Sequence, residues 1–98
     1  MNLLHKKRIG RIFPTLYETY EINEHIRLQV TRSSIFGVPN HYTVMLFHKG
    51  REIVLCGGEK LKDVSNELLR WLGNPYINEH YADYVKKAAE YLSTLPEF

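Results

Sequence analysis

The sequence predicts an α+β fold: an antiparallel β-meander of about four strands, followed by two C-terminal amphipathic helices packed on the sheet. Two observations carry this expectation. Ahead of Gly57-Gly58, apolar and polar residues alternate in short runs separated by Gly-, Pro- and Asn-containing turns; behind it, apolar residues recur every third or fourth position. With 98 residues the chain is expected to form a single domain. Residues 1–14 would be a basic N-terminal arm or a short extra element, 15–57 the antiparallel sheet, and 59–96 the two helices.

The clearest strand is His25 to Arg32, where Ile26, Leu28 and Val30 share one face and Arg27, Gln29 and Thr31 the other. The tyrosine- and threonine-rich run Leu16 to Ile22 pairs with it. A loop of Asn23, Glu24 and His25 sets Ile22 against Ile26 and Tyr20 against Leu28. After the loop 33–40, a hairpin runs from His41 to Cys56 about Lys49-Gly50, a turn in which glycine at the second position suits positive φ but lysine at the first does not. A helical turn or an extra strand around Arg8–Phe13 is also expected, closed by Pro14.

In the first helix Leu61, Val64, Leu68, Trp71 and Leu72 form the apolar stripe, with Gly73 expected as a left-handed C-terminal residue and Asn74-Pro75 as the stop. The second helix starts near Asn74 or Asn78, either a suitable cap, and presents Tyr81, Val85, Ala88, Leu92 and Leu95.

Composition narrows the class. The chain is 44% hydrophobic and 24% charged, the make-up of an ordinary folded domain. No apolar run is long enough to span a bilayer, so no membrane partner is expected; the charged start lacks the apolar core of a secretory leader. A single cysteine, Cys56, excludes an internal disulfide and suits a reducing compartment; the expected location is the cytoplasm.

Catalytic chemistry finds little support. His5, His25, His41, His48 and His80 lack metal-ligand spacing, and Cys56 lies among apolar strand residues as a buried thiol would. Ser33-Ser34 has no glycine elbow, and Gly57-Gly58-Glu59-Lys60 departs from the phosphate-loop pattern. No catalytic residue, metal or small-molecule cofactor is therefore expected. A grouping of His41, Tyr42 and Arg51 at a hairpin end, as in a small nuclease or hydrolase, ranks third among the functional readings.

The leading expectation is a non-enzymatic protein-binding module, with a foreign protein or a second copy of the chain as partner. Both faces of the Tyr42–Cys56 hairpin are apolar: Tyr42, Val44, Leu46, Ile53 and Leu55 on one side, and Met45, Phe47, Val54 and Cys56 on the other. Two helices joined by a short loop cover one face, leaving the other to the N-terminal segment, a crossing helix or a partner. Met45, Phe47 and Val54, with Tyr84 and Tyr91 from the tyrosine-rich second helix, are the candidate contact residues. Size and style match small inhibitors made by phages and mobile elements, an analogy that no motif carries.

The alternative is a nucleic-acid-binding protein. The net charge is only +2, yet Lys6, Lys7, Arg8 and Arg11 stand together without an acid. With Arg32, Lys49 and Arg51 they are the candidate phosphate contacts.

Overall fold

The computed structural model describes residues 1–96. Five strands form one antiparallel sheet in chain order: β1 (Asn2–Ile9), β2 (Thr15–Glu21), β3 (Ile26–Ser33), β4 (His41–His48) and β5 (Arg51–Gly58). Helix α1 (Leu61–Arg70), a single 3₁₀ turn at Trp71–Gly73 and helix α2 (Pro75–Thr94) follow. The α+β meander with two C-terminal helices is thus the architecture, with one strand more than the sequence pattern announces.

The additional strand is β1. It occupies residues 2–9 and not the neighbourhood of Arg8–Phe13, where Gly10 to Pro14 instead make the turn into β2. All eight of its residues are exposed, so it carries no apolar alternation from which a strand is recognised. An irregularity between Leu3 and His5 further disrupts the period. Gly10 is required at the turn: its φ is +104°, and a Cβ there would lie 3.2 Å from the Phe13 carbonyl oxygen.

The core lies on one side of the sheet. Ile26, Leu28 and Val30 of β3 stand opposite Leu46, Val44 and Tyr42 of β4, and all six are buried beneath the helices. Tyr20 pairs with Leu28, the register expected from the three-residue loop. Asn23 fixes that loop: its side-chain oxygen accepts from the His25 and Ile26 amides at 3.0 Å each, and its Nδ2 donates to the Tyr84 carbonyl at 3.0 Å. At the β4–β5 turn both Lys49 (φ 49°) and Gly50 (φ 76°) adopt positive φ, so the tight turn tolerates lysine at its first position.

From the helix side, α1 contributes Leu61, Val64 and Leu68, and α2 contributes Ile77, Tyr81, Val85, Ala88, Ala89 and Leu92. The small Ala88 and Ala89 bring the helices close enough for the Ser65 hydroxyl to donate to the Ala89 carbonyl at 2.6 Å. Asn74 caps α2 by accepting from the Tyr76 and Ile77 amides, with Pro75 in the first helical position. Gly73 is not the left-handed terminator expected. Positive φ among the glycines is confined to Gly10, Gly37 and Gly50, and α1 tightens into the 3₁₀ turn before Asn74 extends the backbone.

One assignment of faces changes. The β4–β5 register shifts between Val44 and Met45, so Cys56 pairs with Val44 and turns toward α1, where its thiol contacts the Val64 carbonyl at 3.7 Å. Simple alternation placed Cys56 with Met45 and Val54; the bulge at Leu55 moves it to the core side.

The limited reach of the helices across the sheet, over β3 to β5 and not β1, predicts very unequal mutational costs. Leu28→Ala should lower unfolding free energy by about 3 kcal/mol in urea titrations, while Leu3→Ala on β1 should change it by less than about 0.5 kcal/mol.

Candidate docking surfaces

The sheet face turned away from the helices carries Arg27, Gln29 and Thr31 of β3, Thr43, Met45 and Phe47 of β4, and Glu52 and Val54 of β5. Among the described residues no strand, helix or loop is laid over it. The N-terminal segment, one expected cover, extends the sheet as β1 instead, and the helices lie over β3, β4 and β5 on the opposite side. Shielding comes from side chains within the face. The Arg27 guanidinium lies 3.9 Å from the Phe47 ring centroid and bonds Glu52 at 2.7 Å. Between Arg27 and Val54, its register partners on either side, Met45 retains only 5% exposure. Phe47 is half-buried, and Val54 alone of the three stays open, at 63%.

Val54 stands on the edge strand, and its neighbour Ile53, pointing to the other side, is 44% exposed. Behind Ile53 a groove of about 360 Å³ opens between β5 and the helical layer, with Leu46, Leu55, Trp71 and Ile77 in its wall. The edge is partly closed: the Trp71 indole N–H donates to the Leu55 carbonyl at 2.8 Å, at the bulge. Tyr84 and Tyr91 belong to the opposite layer. Tyr84 packs edge-on against His25, ring centroids 4.4 Å apart, and its hydroxyl reaches Glu24. Tyr91 borders a shallow depression with Lys87, Glu90 and Thr94. The five candidate contact residues therefore form two surfaces and not one.

The basic residues divide as well. Lys6, Arg8 and Arg32 meet on the helix side of the sheet, beyond the helices, where they line a hollow of about 490 Å³ with Leu16, Pro14, Ser33 and Ser34. Lys7, across from Tyr17 and Thr31, points to the other face, and Arg11 sits in the β1–β2 turn. Lys49 and Arg51 lie at the far end of the sheet from Arg32.

On the same side of the sheet Glu18 of β2, opposite Lys6, accepts from Arg32 Nε at 2.5 Å and from the Tyr20 hydroxyl at 3.1 Å. The Arg32 bond, assisted by Tyr20 and Lys6, holds the Glu18 carboxyl below its ordinary range despite opposing burial.

The register separates the nuclease-like grouping: Arg51 stands opposite His48, the length of β4, about 20 Å, from His41 and Tyr42. A different cluster, unseen in the sequence, forms where the β2–β3 and β4–β5 turns meet α2. His25 stacks edge-on with Tyr81 and Tyr84, and His48 with Tyr76 and Tyr81, the His48 Nδ1 bonding the Tyr81 hydroxyl. Its members come from three elements, so no local spacing signals it. Burial raises the Tyr81 hydroxyl above its usual range, keeping it protonated. Among the described residues no group of His, Cys, Asp and Glu has metal-binding geometry, and no helix is long and apolar enough to cross a membrane.

Fold and surfaces together define a small α+β domain with a one-sided core. The sequence matches no protein-family model, and neither the curated proteins nor the solved structures give a match.

Burial raises the Cys56 thiol to about 11, so Ellman's reagent should label it negligibly in the native protein at mild alkaline pH and fully in denaturant. For Glu18, a folded-state pKa below the unfolded value contributes stability above the ordinary carboxylate range, lost as pH falls through the lowered value. Urea midpoints followed from about pH 6 down to about pH 3 should therefore fall less steeply in Glu18→Gln than in the parent chain.

Proposed function

We propose that this chain is a non-enzymatic protein-binding module that docks its partner along the β5 edge. The supporting observation is the paired exposure of Val54 and Ile53 on opposite sides of that strand. On one side Val54 lies over buried Met45, with half-buried Phe47 nearby; on the other Ile53 borders the groove walled by Leu46, Leu55, Trp71 and Ile77. An extended partner segment alongside such an edge gains main-chain hydrogen bonds from the strand and apolar contacts alternately on both faces. The partner's side chains would thus read the Val54 surface and the groove in turn. The Arg27–Glu52 pair beside Phe47 supplies a polar rim.

A second copy of the chain is the alternative occupant within the same reading, since β5 from residue 51 to 58 carries one acid and one base and brings no net repulsion against itself. By contrast β1 holds Lys6, Lys7 and Arg8, and pairing two such strands sets like charges together. The edges are thus unequally suited to self-association.

The test places a photo-crosslinking residue at position 54 and, in a separate protein, at exposed Glu79 on α2. Crosslinking in the native lysate should give a discrete adduct from position 54 and none of that mass from position 79. Val54→Asp should abolish capture by the unmodified chain while leaving the thermal midpoint within about 2 °C, as expected for a change at an exposed position. Light scattering across concentrations separates self-association from a foreign partner. Capture unaffected by Val54→Asp rejects the β5 site.

A further inference from the structure

The opposite end of the β1 side of the sheet holds a second surface, independent of β5. Two loops meet there, the β1–β2 turn and the β3–β4 loop, joined by the Ser34 amide donating to the Pro14 carbonyl at 3.2 Å. They project Ile12, Phe13, Ile35, Phe36 and Val38 into solvent; Ile12 is 83% exposed and Phe36 entirely so. Next to these loops lies the 490 Å³ hollow, lined by Lys6, Arg8 and Arg32 together with Pro14, Leu16, Ser33 and Ser34. Residues 6–16 and 32–41, which build this end, contain Lys6, Lys7, Arg8, Arg11 and Arg32 and no carboxylate, and Glu18 of β2, opposite Lys6, pairs with Arg32.

We propose that this end docks on the surface of an anionic phospholipid bilayer, with the loop tips entering the headgroup–acyl boundary and the hollow receiving a headgroup phosphate. The combination is what such a surface selects: apolar side chains that gain by leaving water, and cations set next to them at headgroup depth. The tips protrude, where a flat protein interface presents a contiguous, close-packed patch. A nucleic-acid site at this end is less well matched, since three of the five tips are aliphatic and offer no ring for base stacking. Arg32 is held in position by Glu18, so one cation of the hollow is fixed before any anion arrives. Docking of this kind is peripheral and requires no spanning helix; the apolar residues gather only in the folded chain, from positions more than twenty residues apart in sequence.

Vesicle flotation tests it, using phosphatidylcholine alone and phosphatidylcholine with about 30% phosphatidylserine. The parent chain should bind the anionic vesicles at least about tenfold more tightly than the neutral ones. Ile12→Ser with Phe36→Ser, which leaves the charge unchanged, should reduce that binding at least about tenfold. Lys6→Glu with Arg8→Glu should reduce it to the neutral-vesicle level. A Phe36→Trp chain should shift its emission to the blue on adding anionic vesicles and show no shift with a DNA duplex or inorganic phosphate. Circular dichroism and the thermal midpoint should be unchanged in the Ile12 and Phe36 variants, whose sites are exposed; in Lys6→Glu with Arg8→Glu, which sets an acid opposite Glu18, the spectrum should be kept and the midpoint lowered. Three results overturn the proposal: no vesicle binding, vesicle binding that survives loss of Ile12 and Phe36, or tighter binding to duplex DNA than to anionic vesicles at equal salt. All three leave the β5 reading untouched.

Discussion

Packing of two helices against one face of β3 and β4 is the constraint from which the other features follow. A helix with its side chains is about 10 Å across, and strands are about 4.8 Å apart, so two helices shade about four strands at most. Here they lie over β3, β4 and β5. Beyond that footprint Glu18, Arg32 and Tyr20 replace the apolar core with a charged, hydrogen-bonded patch, and β1 buries nothing. Among the described residues the reverse of the sheet has no second layer and is shielded by its own long side chains, Arg27 foremost. One-sided burial therefore creates each exposed surface of the molecule.

The same footprint explains what the sequence makes legible. Wherever the helices press, side chains obey the periodicity of their element: Ile26, Leu28 and Val30 alternate, and Leu61, Val64 and Leu68 recur with the helical turn. The register of β2 on β3 and the cap at Asn74 were readable for a related reason, since short loops and helix starts are governed by local chemistry. Where burial stops, the signal stops. Nothing in Leu3-Leu4-His5-Lys6-Lys7-Arg8 alternates by polarity, because the strand has no inside, so residues 1–14 read as an arm or a short extra element. Simple alternation puts Cys56 on the wrong face because a single extra residue at Leu55 reverses the parity beyond it, and no residue type announces that bulge.

Surfaces were less legible than the core. Met45, Phe47 and Val54 do lie together on the uncovered face, as strand parity alone requires. Tyr84 and Tyr91 lie on the opposite layer, since helix stripes say which residues share a face but not which side of a sheet the helix will take. Likewise Arg32 joins Lys6 and Arg8 through the meander, while Lys49 and Arg51 are carried to the other end by it. Convergence of Ile12 and Phe36 depends on two loops meeting across β2 and β3, a long-range relation that composition does not encode.

The solitary attachment of β1 has a mechanical implication. Among the described residues its one strand neighbour is β2, whereas detaching β3 or β4 would open the core. Slow solvent exchange at Leu28 and rapid exchange at Lys7 would then coexist in one native population, with fraying of the first hairpin independent of global opening. Such fraying would stay local to β1, because the Ser34 amide's bond to the Pro14 carbonyl fixes the Gly10–Pro14 turn at its β2 end.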